Sequence, residues 1–312
     1  VARLPALTTP ARRRGSRAPH DATMSTRFDP PAPAHIAAEV RRALAEDLGS
    51  GDVTAALVPT RPATATIVAK EAAVLCGVPW AEACFRALDP AARIEWRHGD
   101  GSRMAAGDIV CRVRCESRAL LSAERSALNF LQTLSGTATI TAQYVDAVAG
   151  TGATILDTRK TIPGLRLAQK YAVRCGGGRN HRLGLYDAVL VKENHIAAAG
   201  SIAAAVAAAR RLAPGLLLEV EVESLDELAQ ALGAGVDRVL LDDFAHGTLR
   251  EAVRITAGRC PLEVSGGVDL ARVRAIAETG IDFISIGALT KHVRAIDLSL
   301  RIEPGSAAPP RL

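Results

Sequence analysis

Up to about residue 33 the apolar positions follow no period. From Ala34 a helical pattern sets in, with Ile36, Val40 and Leu44 on one face, and it closes near Gly49-Ser50-Gly51. Between there and Leu120 the period shortens to two. Ala65-Thr66-Ile67-Val68-Ala69-Lys70 and Ile109 to Val113 alternate as half-buried strands do, around a helix near Trp80 to Leu88. This predicts a small α+β domain.

After Leu121 the pattern predicts a long helix from about Ser122 to Ser135, a break at Gly136 and another helix, followed by a regular alternation of strands and helices. The predicted strands are Thr154-Ile155-Leu156-Asp157, Ala188-Val189-Leu190-Val191, Leu216-Leu217-Leu218-Glu219-Val220, Arg238-Val239-Leu240-Leu241, Leu262-Glu263-Val264 and Phe283-Ile284-Ser285-Ile286. Ala-rich helical patterns such as Ser201 to Leu212, Leu225 to Leu232 and Leu270 to Glu278 lie between them, the order of a parallel sheet. Charged or glycine-rich residues gather at the C-terminal end of each strand. A βα barrel builds its site there, so a closed barrel is favoured over an open sheet.

Composition agrees with a soluble α/β protein. The 312 residues are 48% hydrophobic but only 3% aromatic, so the core must be built from Ala, Val, Leu and Ile. No run of about 18 uncharged apolar residues occurs, which argues against a membrane span. The formal charge of +5 owes much to Arg12, Arg13, Arg14 and Arg17 in an Arg-, Ala- and Pro-rich head, leaving little reason to expect nucleic-acid binding. Residues 1–33 are read as a disordered tail and 305–312 as a C-terminal tail, and the head lacks the apolar stretch of a secretory signal. Cys76, Cys84, Cys111, Cys115, Cys175 and Cys260 have neither zinc-site nor disulfide-scaffold spacing, so reduced thiols in a cytoplasmic protein are expected. No GxGxxG follows an early strand, which leaves a dinucleotide site unsupported.

The strand ends carry the candidate chemistry. Asp157-Thr158-Arg159-Lys160-Thr161 brings two cations to the surface at the end of a buried strand, an anion site in outline or else a solvated loop. In Arg174-Cys175-Gly176-Gly177-Gly178-Arg179-Asn180-His181-Arg182, a glycine run whose N–H groups could meet an anion adjoins more cations. There His181 and Arg182 could serve a carboxylate. Lys192 emerges from four apolar residues, as an anion ligand or a Schiff-base lysine. Glu219, Glu221 and Glu223 share one strand face, which a barrel turns inward, and Leu241-Asp242-Asp243-Phe244 adds acids at the same rim. Acids opposite cations suit Mg²⁺ held through water and phosphates, or else internal salt bridges with Lys160 and Lys192. Ser265-Gly266-Gly267 and Gly287-Ala288-Leu289, small residues in the last two strand-end loops, suit a phosphate.

Taken together, Thr158 to Thr161, Gly178 to Leu183, Val191 to His195, Glu219 to Glu223, Leu241 to Phe244, Ser265 to Gly267 and Gly287 to Thr290 resemble the motifs of quinolinate phosphoribosyltransferases, in the family's order and from about Ala34 onward. The resemblance implies an open α/β sandwich over residues 34–127, completed by about 295–304, and an incomplete parallel βα barrel over 128–294. It implies a homodimer or higher homo-oligomer with shared sites, in which Arg125 enters from the neighbouring subunit. Arg159, His181, Arg182 and Lys192 would then bind the pyridine dicarboxylate, and Lys160 would lie between it and the pyrophosphate. Glu221 and Asp242 would meet the ribose and Mg²⁺, through water or substrate. Ser265, Gly266, Gly267, Gly287 and Ala288 would cradle the 5′-phosphate. Lys160, Glu221 and Asp242 would be the catalytic group. Val264 stands where a small residue is more usual in the family, and Asp243 where Asn is common.

Three other readings compete with this one. They are a related phosphoribosyltransferase acting on nicotinate or a molybdenum-associated substrate, an aldolase-like barrel using Lys192, and a non-catalytic phosphate-metabolite binding barrel. One carboxylate needs fewer cations than Arg125, Arg159, His181, Arg182 and Lys192 supply, which favours a dicarboxylate.

Overall fold

The computed structural model describes residues 28–303. Residues 1–27 of the expected first tail, residue 304 and the expected tail at 305–312 lie outside them. Residues 28–33, expected to belong to the first tail, carry packing contacts. Phe28 is half-buried against the N-terminal core, and the Asp29 carbonyl accepts a hydrogen bond from Arg174 Nη2 at 2.6 Å.

The first part of the chain runs α1 (Pro33–Leu48), β1 (Pro62–Ala69), β2 (Ala73–Val74), α2 (Val78–Leu88), β3 (Arg93–Trp96), β4 (Arg103–Met104), β5 (Ile109–Glu116) and α3 (Ser117–Ala147). In β1 the alternation puts Ala63, Ala65, Ile67 and Ala69 inward, and β5 does the same with Cys111, Val113 and Cys115. The Cys111 and Cys115 thiols are therefore part of the core, and all six cysteines are free. Helices α1, α2 and α3 close this core around Trp80, Phe85, Leu120 and Leu131.

α3 corrects the expected break at Gly136. It is a single helix of 31 residues, begun by the Glu116 carboxylate, which accepts from the N–H groups of Arg118 and Ala119. Gly136 serves close approach rather than helix termination. A Cβ there would lie 2.3 Å from the Arg294 carbonyl oxygen, so the missing side chain lets residues 294–295 pass against the helix. The C-terminal part of α3, through Tyr144, belongs to the second core and ties the two parts together.

The second part runs β6 (Thr154–Leu156), α4 (Arg166–Cys175), β7 (Ala188–Val191), α5 (Glu193–Ala199), α6 (Ile202–Leu212), β8 (Leu217–Val222), α7 (Leu225–Ala234), β9 (Arg238–Asp242), α8 (His246–Thr256), β10 (Leu262–Ser265), α9 (Val273–Ala277), β11 (Phe283–Ser285), α10 (Ala288–Lys291) and β12 (Leu298–Ile302). Six strands form a parallel sheet in the order β6-β11-β10-β9-β8-β7, and β12 joins the other sheet, antiparallel to β1. The sheet fits the expected incomplete parallel βα barrel: its end strands, β6 and β7, are not paired with each other among the described residues. Part of the β6 edge is covered instead by Arg179, whose N–H donates to Ile155 O at 2.9 Å and whose carbonyl accepts from Asp157 N at 3.2 Å. The consequence for function is placement: residues 179–182 are pinned across the C-terminal end of β6.

Candidate active site

A cavity of about 180 Å³ opens at the C-terminal ends of the strands. It is lined by Thr158, Arg159 and Lys160 after β6, His181 and Arg182 from the pinned segment, and Leu190 and Lys192 at the end of β7. Glu221, Leu240, Glu263, Ser265 and Ser285 complete it from β8 to β11. Five basic side chains thus converge from three separate stretches of chain.

The loop after β6 is held by backbone contacts that leave its cations free. The Lys160 N–H donates to Thr158 Oγ1 at 3.0 Å, and Thr290 Oγ1 donates to the Lys160 carbonyl at 2.8 Å. Arg166 braces the same loop, reaching Thr161 Oγ1 at 3.2 Å and the Arg159 carbonyl at 3.4 Å. Among the described residues no carboxylate lies within ion-pair distance of Arg159, Lys160 or Arg182, and Arg159 Nε is buried with no partner. Burial first, and then the positive charge of Arg159, makes Arg182 easier to deprotonate than usual. Cations gathered at a cavity and repelling one another mark an anion site.

Beneath this loop lies a buried ion pair that sequence reasoning missed. Lys170 Nζ, on α4, donates to Asp157 Oδ1 at 2.5 Å and to the His181 carbonyl at 3.0 Å. The same carboxylate accepts from His181 N–H at 2.9 Å and from Asn180 Nδ2 at 2.6 Å. Burial lifts the Asp157 carboxyl and lowers the Lys170 ammonium, each opposed by the charge of the other. The cluster clamps residues 180–182 to the end of β6.

The glycine run is not the anion-binding nest its sequence allowed. The N–H groups of Gly176, Gly177 and Gly178 donate to the carbonyls of Ala172, Arg174 and Val173. Gly176 and Gly178 are buried against α3, where added Cβ atoms would come within 2.4 Å of Ala138 O and 2.9 Å of Thr141 Cγ2. The glycines let the chain turn tightly beside α3 and deliver His181 to the cavity.

His181 meets a second buried cluster. Its Nδ1 accepts the Arg182 N–H at 2.7 Å, and a backbone N–H can only donate, so in the neutral ring the proton sits on Nε2. Nε2 lies 2.9 Å from Glu219 Oε2 and 3.5 Å from Glu263 Oε1. Arg238 completes the group, with Nη1 2.9 Å from Glu263 Oε2, Nε 3.9 Å from Glu219 Oε1, and its guanidinium over the Phe283 ring. Burial, reinforced by the Glu219 charge, pushes the Glu263 carboxyl up to about 7, while His181, the Ser285 hydroxyl and Arg238 oppose the rise. Burial also raises Glu219 and lowers His181. Nδ1 is engaged inside the protein, while Nε2 lies against Glu219 and Glu263 without a formed hydrogen bond to either.

The remaining expected residues divide. Glu221 and Lys192 face each other at 2.6 Å, which is the internal salt bridge the sequence left open. Glu223 lies beyond the end of β8 and is exposed. Asp242 ends β9 beside Gly266, and Asp243 has φ of 55°, a backbone that Asn adopts more easily. Gly266 and Gly267 have φ of 90° and 54°, so side chains there would be strained. Gly287 gives room to the Lys160 stem, since a Cβ there would lie 2.8 Å from Lys160 Cδ, and Ala288 opens α10. Asp242, Gly266, Gly267, Gly287 and Ala288 flank the cavity residues along the chain without lining this cavity. Arg125 is exposed on α3 and is not brought to it. Glu263 and Arg238 were missed because each reads as a lone charge inside an apolar strand. The signal that could have found them is an inward-facing charge in a parallel strand, which needs a buried partner.

Comparison with known proteins matches residues 52–135 to the N-terminal domain of quinolinate phosphoribosyl transferase and residues 137–301 to its C-terminal domain. The nicotinate-nucleotide pyrophosphorylase [carboxylating] of Mycobacterium leprae is 45% identical over 272 residues, 84% of this chain and 95% of that protein. Quinolinate phosphoribosyltransferase [decarboxylating] 1b of Nicotiana tabacum is 40% identical over 85% of this chain and 81% of that protein. The solved nicotinate-nucleotide pyrophosphorylase of Francisella tularensis superposes with a TM-score of 0.85 at 46% identity, covering 89% of this chain and 99% of that one.

Proposed function

Because this chain belongs to the quinolinate phosphoribosyltransferase family, we propose that the cavity at the strand ends is where quinolinate and phosphoribosyl pyrophosphate react. The reaction is a decarboxylating pentosyl transfer. It gives nicotinate mononucleotide, pyrophosphate and CO₂ for NAD biosynthesis. The observation that carries the assignment is the set of unpaired cations, Arg159, Lys160 and Arg182, on one cavity with Lys192. Two ring carboxylates and a polyphosphate are the anions such a set can neutralise.

Arg159 and Arg182 take the ring carboxylates, and Lys192 joins them by giving up Glu221. His181 walls the same pocket. Lys160, its stem against Gly287, stands between the dicarboxylate and the departing pyrophosphate. The ring nitrogen displaces pyrophosphate from ribose C1 through a transition state with oxocarbenium character. Glu221 and Asp242 hold the ribose hydroxyls or face the developing positive charge, and no protein nucleophile is needed. The phosphate end of the nucleotide goes to Ser265, Gly266, Gly267, Gly287 and Ala288.

The donors present fit Mg²⁺. Glu221 at the cavity and Asp242 at the neighbouring strand end are oxygen donors, the kind a hard divalent cation prefers, and they would meet it through water or the substrate phosphates rather than as direct ligands. When bound, Mg²⁺ would neutralise the leaving pyrophosphate.

Exposed Arg125 supports an oligomer in which a second copy supplies the fifth cation of the expected set. No helix of the described residues is long and apolar enough to cross a membrane, and the free thiols support a cytoplasmic protein.

A coupled assay for CO₂ and nicotinate mononucleotide, with and without Mg²⁺, tests the whole reading. Arg159→Ala should abolish quinolinate binding while the fold is kept, and unchanged quinolinate affinity in that variant would sink the site assignment. Borohydride should trap no adduct at Lys192, since trapping would favour the aldolase-like alternative.

A further inference from the structure

The reaction leaves one requirement that the cations of the cavity do not meet. When the carboxylate next to the ring nitrogen departs as CO₂, the bonding electron pair stays on carbon, and that carbanion must take up a proton. On the strength of the function proposed above, we infer that Glu263, which lines the cavity, supplies this proton.

The geometry carries the inference. Glu219 and Glu263 are both fully buried, and three of their four carboxylate oxygens have no hydrogen-bond partner: both of Glu219 and Oε1 of Glu263. The fourth, Glu263 Oε2, accepts from Arg238. His181 turns Nε2 to this side, and Arg238 is the cation in ion-pair contact with both carboxyls. A proton on Glu263 Oε1 leaves Glu219 as a single anion balanced by Arg238, and turns Oε1 into a donor. Two like charges in this space without it would be costly.

The His181, Glu219 and Glu263 ligand atoms lie within 4.8 Å of one another, close enough to suit a metal ion as well. Arg238 already occupies the flank of the group with a positive charge, which favours a proton over a second cation.

Glu263 lines the same cavity as the dicarboxylate-binding cations, as do the apolar side chains of Leu190 and Leu240. An apolar wall favours loss of neutral CO₂ from a carboxylate. The C–C bond breaks with its electron pair left on the ring carbon, and that pair takes the Oε1 proton of Glu263, forming the C–H bond and leaving a carboxylate. A proton from solvent restores the acid, so the proton that ends on the ring carbon is drawn from water through Glu263. Without a donor in place, the carbanion recaptures CO₂ before it is quenched.

Glu263→Gln separates chemistry from architecture. The amide keeps an N–H toward Glu219 and an oxygen toward Arg238, so it copies the protonated acid without a transferable proton. In single-turnover mixing of quinolinate, phosphoribosyl pyrophosphate and Mg²⁺, Glu263→Gln should release pyrophosphate within about twofold of the wild-type rate. Its CO₂ release should fall by about 100-fold, while the dicarboxylate mononucleotide accumulates. CO₂ keeping pace with pyrophosphate in the variant overturns the inference. Loss of both releases together also overturns it, leaving Glu263 a positioning residue for the pocket. Wild-type protein that releases no pyrophosphate overturns the underlying function instead, and the inference with it.

Discussion

His181 joins two buried charge clusters that solve the same problem differently. Its backbone belongs to the Lys170–Asp157–Asn180 clamp, where cation, anion and amide satisfy one another and no buried polar side-chain atom lacks a partner. Its ring faces Glu219, Glu263 and Arg238, where three carboxylate oxygens are unsatisfied. A saturated cluster has one arrangement and holds a loop in place. An unsaturated one can accept or release a proton, and for that reason belongs with chemistry.

The largest expected effect comes from breaking the clamp. Lys170→Met leaves the Asp157 carboxylate buried among donors too few to replace an ammonium, and should lower stability by about 3–5 kcal/mol. Denaturant unfolding measures this. Residues 180–182 depend on the same pair, so quinolinate binding should weaken even in the fraction that stays folded. A loss below about 1 kcal/mol would mean that the clamp is no more structural than a surface pair.

What the sequence made legible follows the same division. The strand-end cations Arg159, Lys160, Arg182 and Lys192 could be read because they interrupt apolar runs where parallel strands surface. The structure gathers them on one cavity. Lys170 and Asp157 could not be read as partners. They lie thirteen residues apart, one just after β6 and the other inside α4, and only the packing of that helix brings them together. Gly136 misled for a related reason: its role is set by residues 294–295, remote in sequence and close in space. Arg125 shows the limit of a single chain, because its expected partner surface lies on another copy.

A smaller effect sharpens the comparison from the unsaturated side. The Glu263 carboxyl is raised from 4.5 to about 7, so the stability associated with its neutral form is fully present below about pH 4.5 and is lost as pH rises through about 7. The shift corresponds to at most about 3 kcal/mol. His181 is shifted down, and its contribution is present above its ordinary 6.5 and lost as pH falls, so the Glu263 decline is unopposed only between about pH 6.5 and 7. Wild-type urea midpoints should decline as pH rises toward about 7 and level off above it, and Glu263→Gln, neutral throughout, should flatten that decline. Parallel slopes for the two proteins would show that Glu263 is not held as the acid.

The smallest change in stability is expected at the rim, where Lys192 and Glu221 form a third pair. They lie 2.6 Å apart, but the Lys192 side chain is 42% exposed, so solvent screens the pair and holding it costs side-chain freedom. Lys192→Met should therefore shift stability by less than about 1 kcal/mol. Its effect on binding should be far larger. A pair worth so little can be exchanged at small cost, with Lys192 turning to a ring carboxylate while Glu221 is released to the ribose side. The variant should raise the KM for quinolinate by about tenfold or more, the loss expected when one charged hydrogen bond is removed. The KM for phosphoribosyl pyrophosphate should change much less. Steady-state kinetics in both substrates reads the difference. An equal rise in both would mean that Lys192 acts through Glu221, and a stability loss as large as that of Lys170→Met would make the rim pair a second clamp.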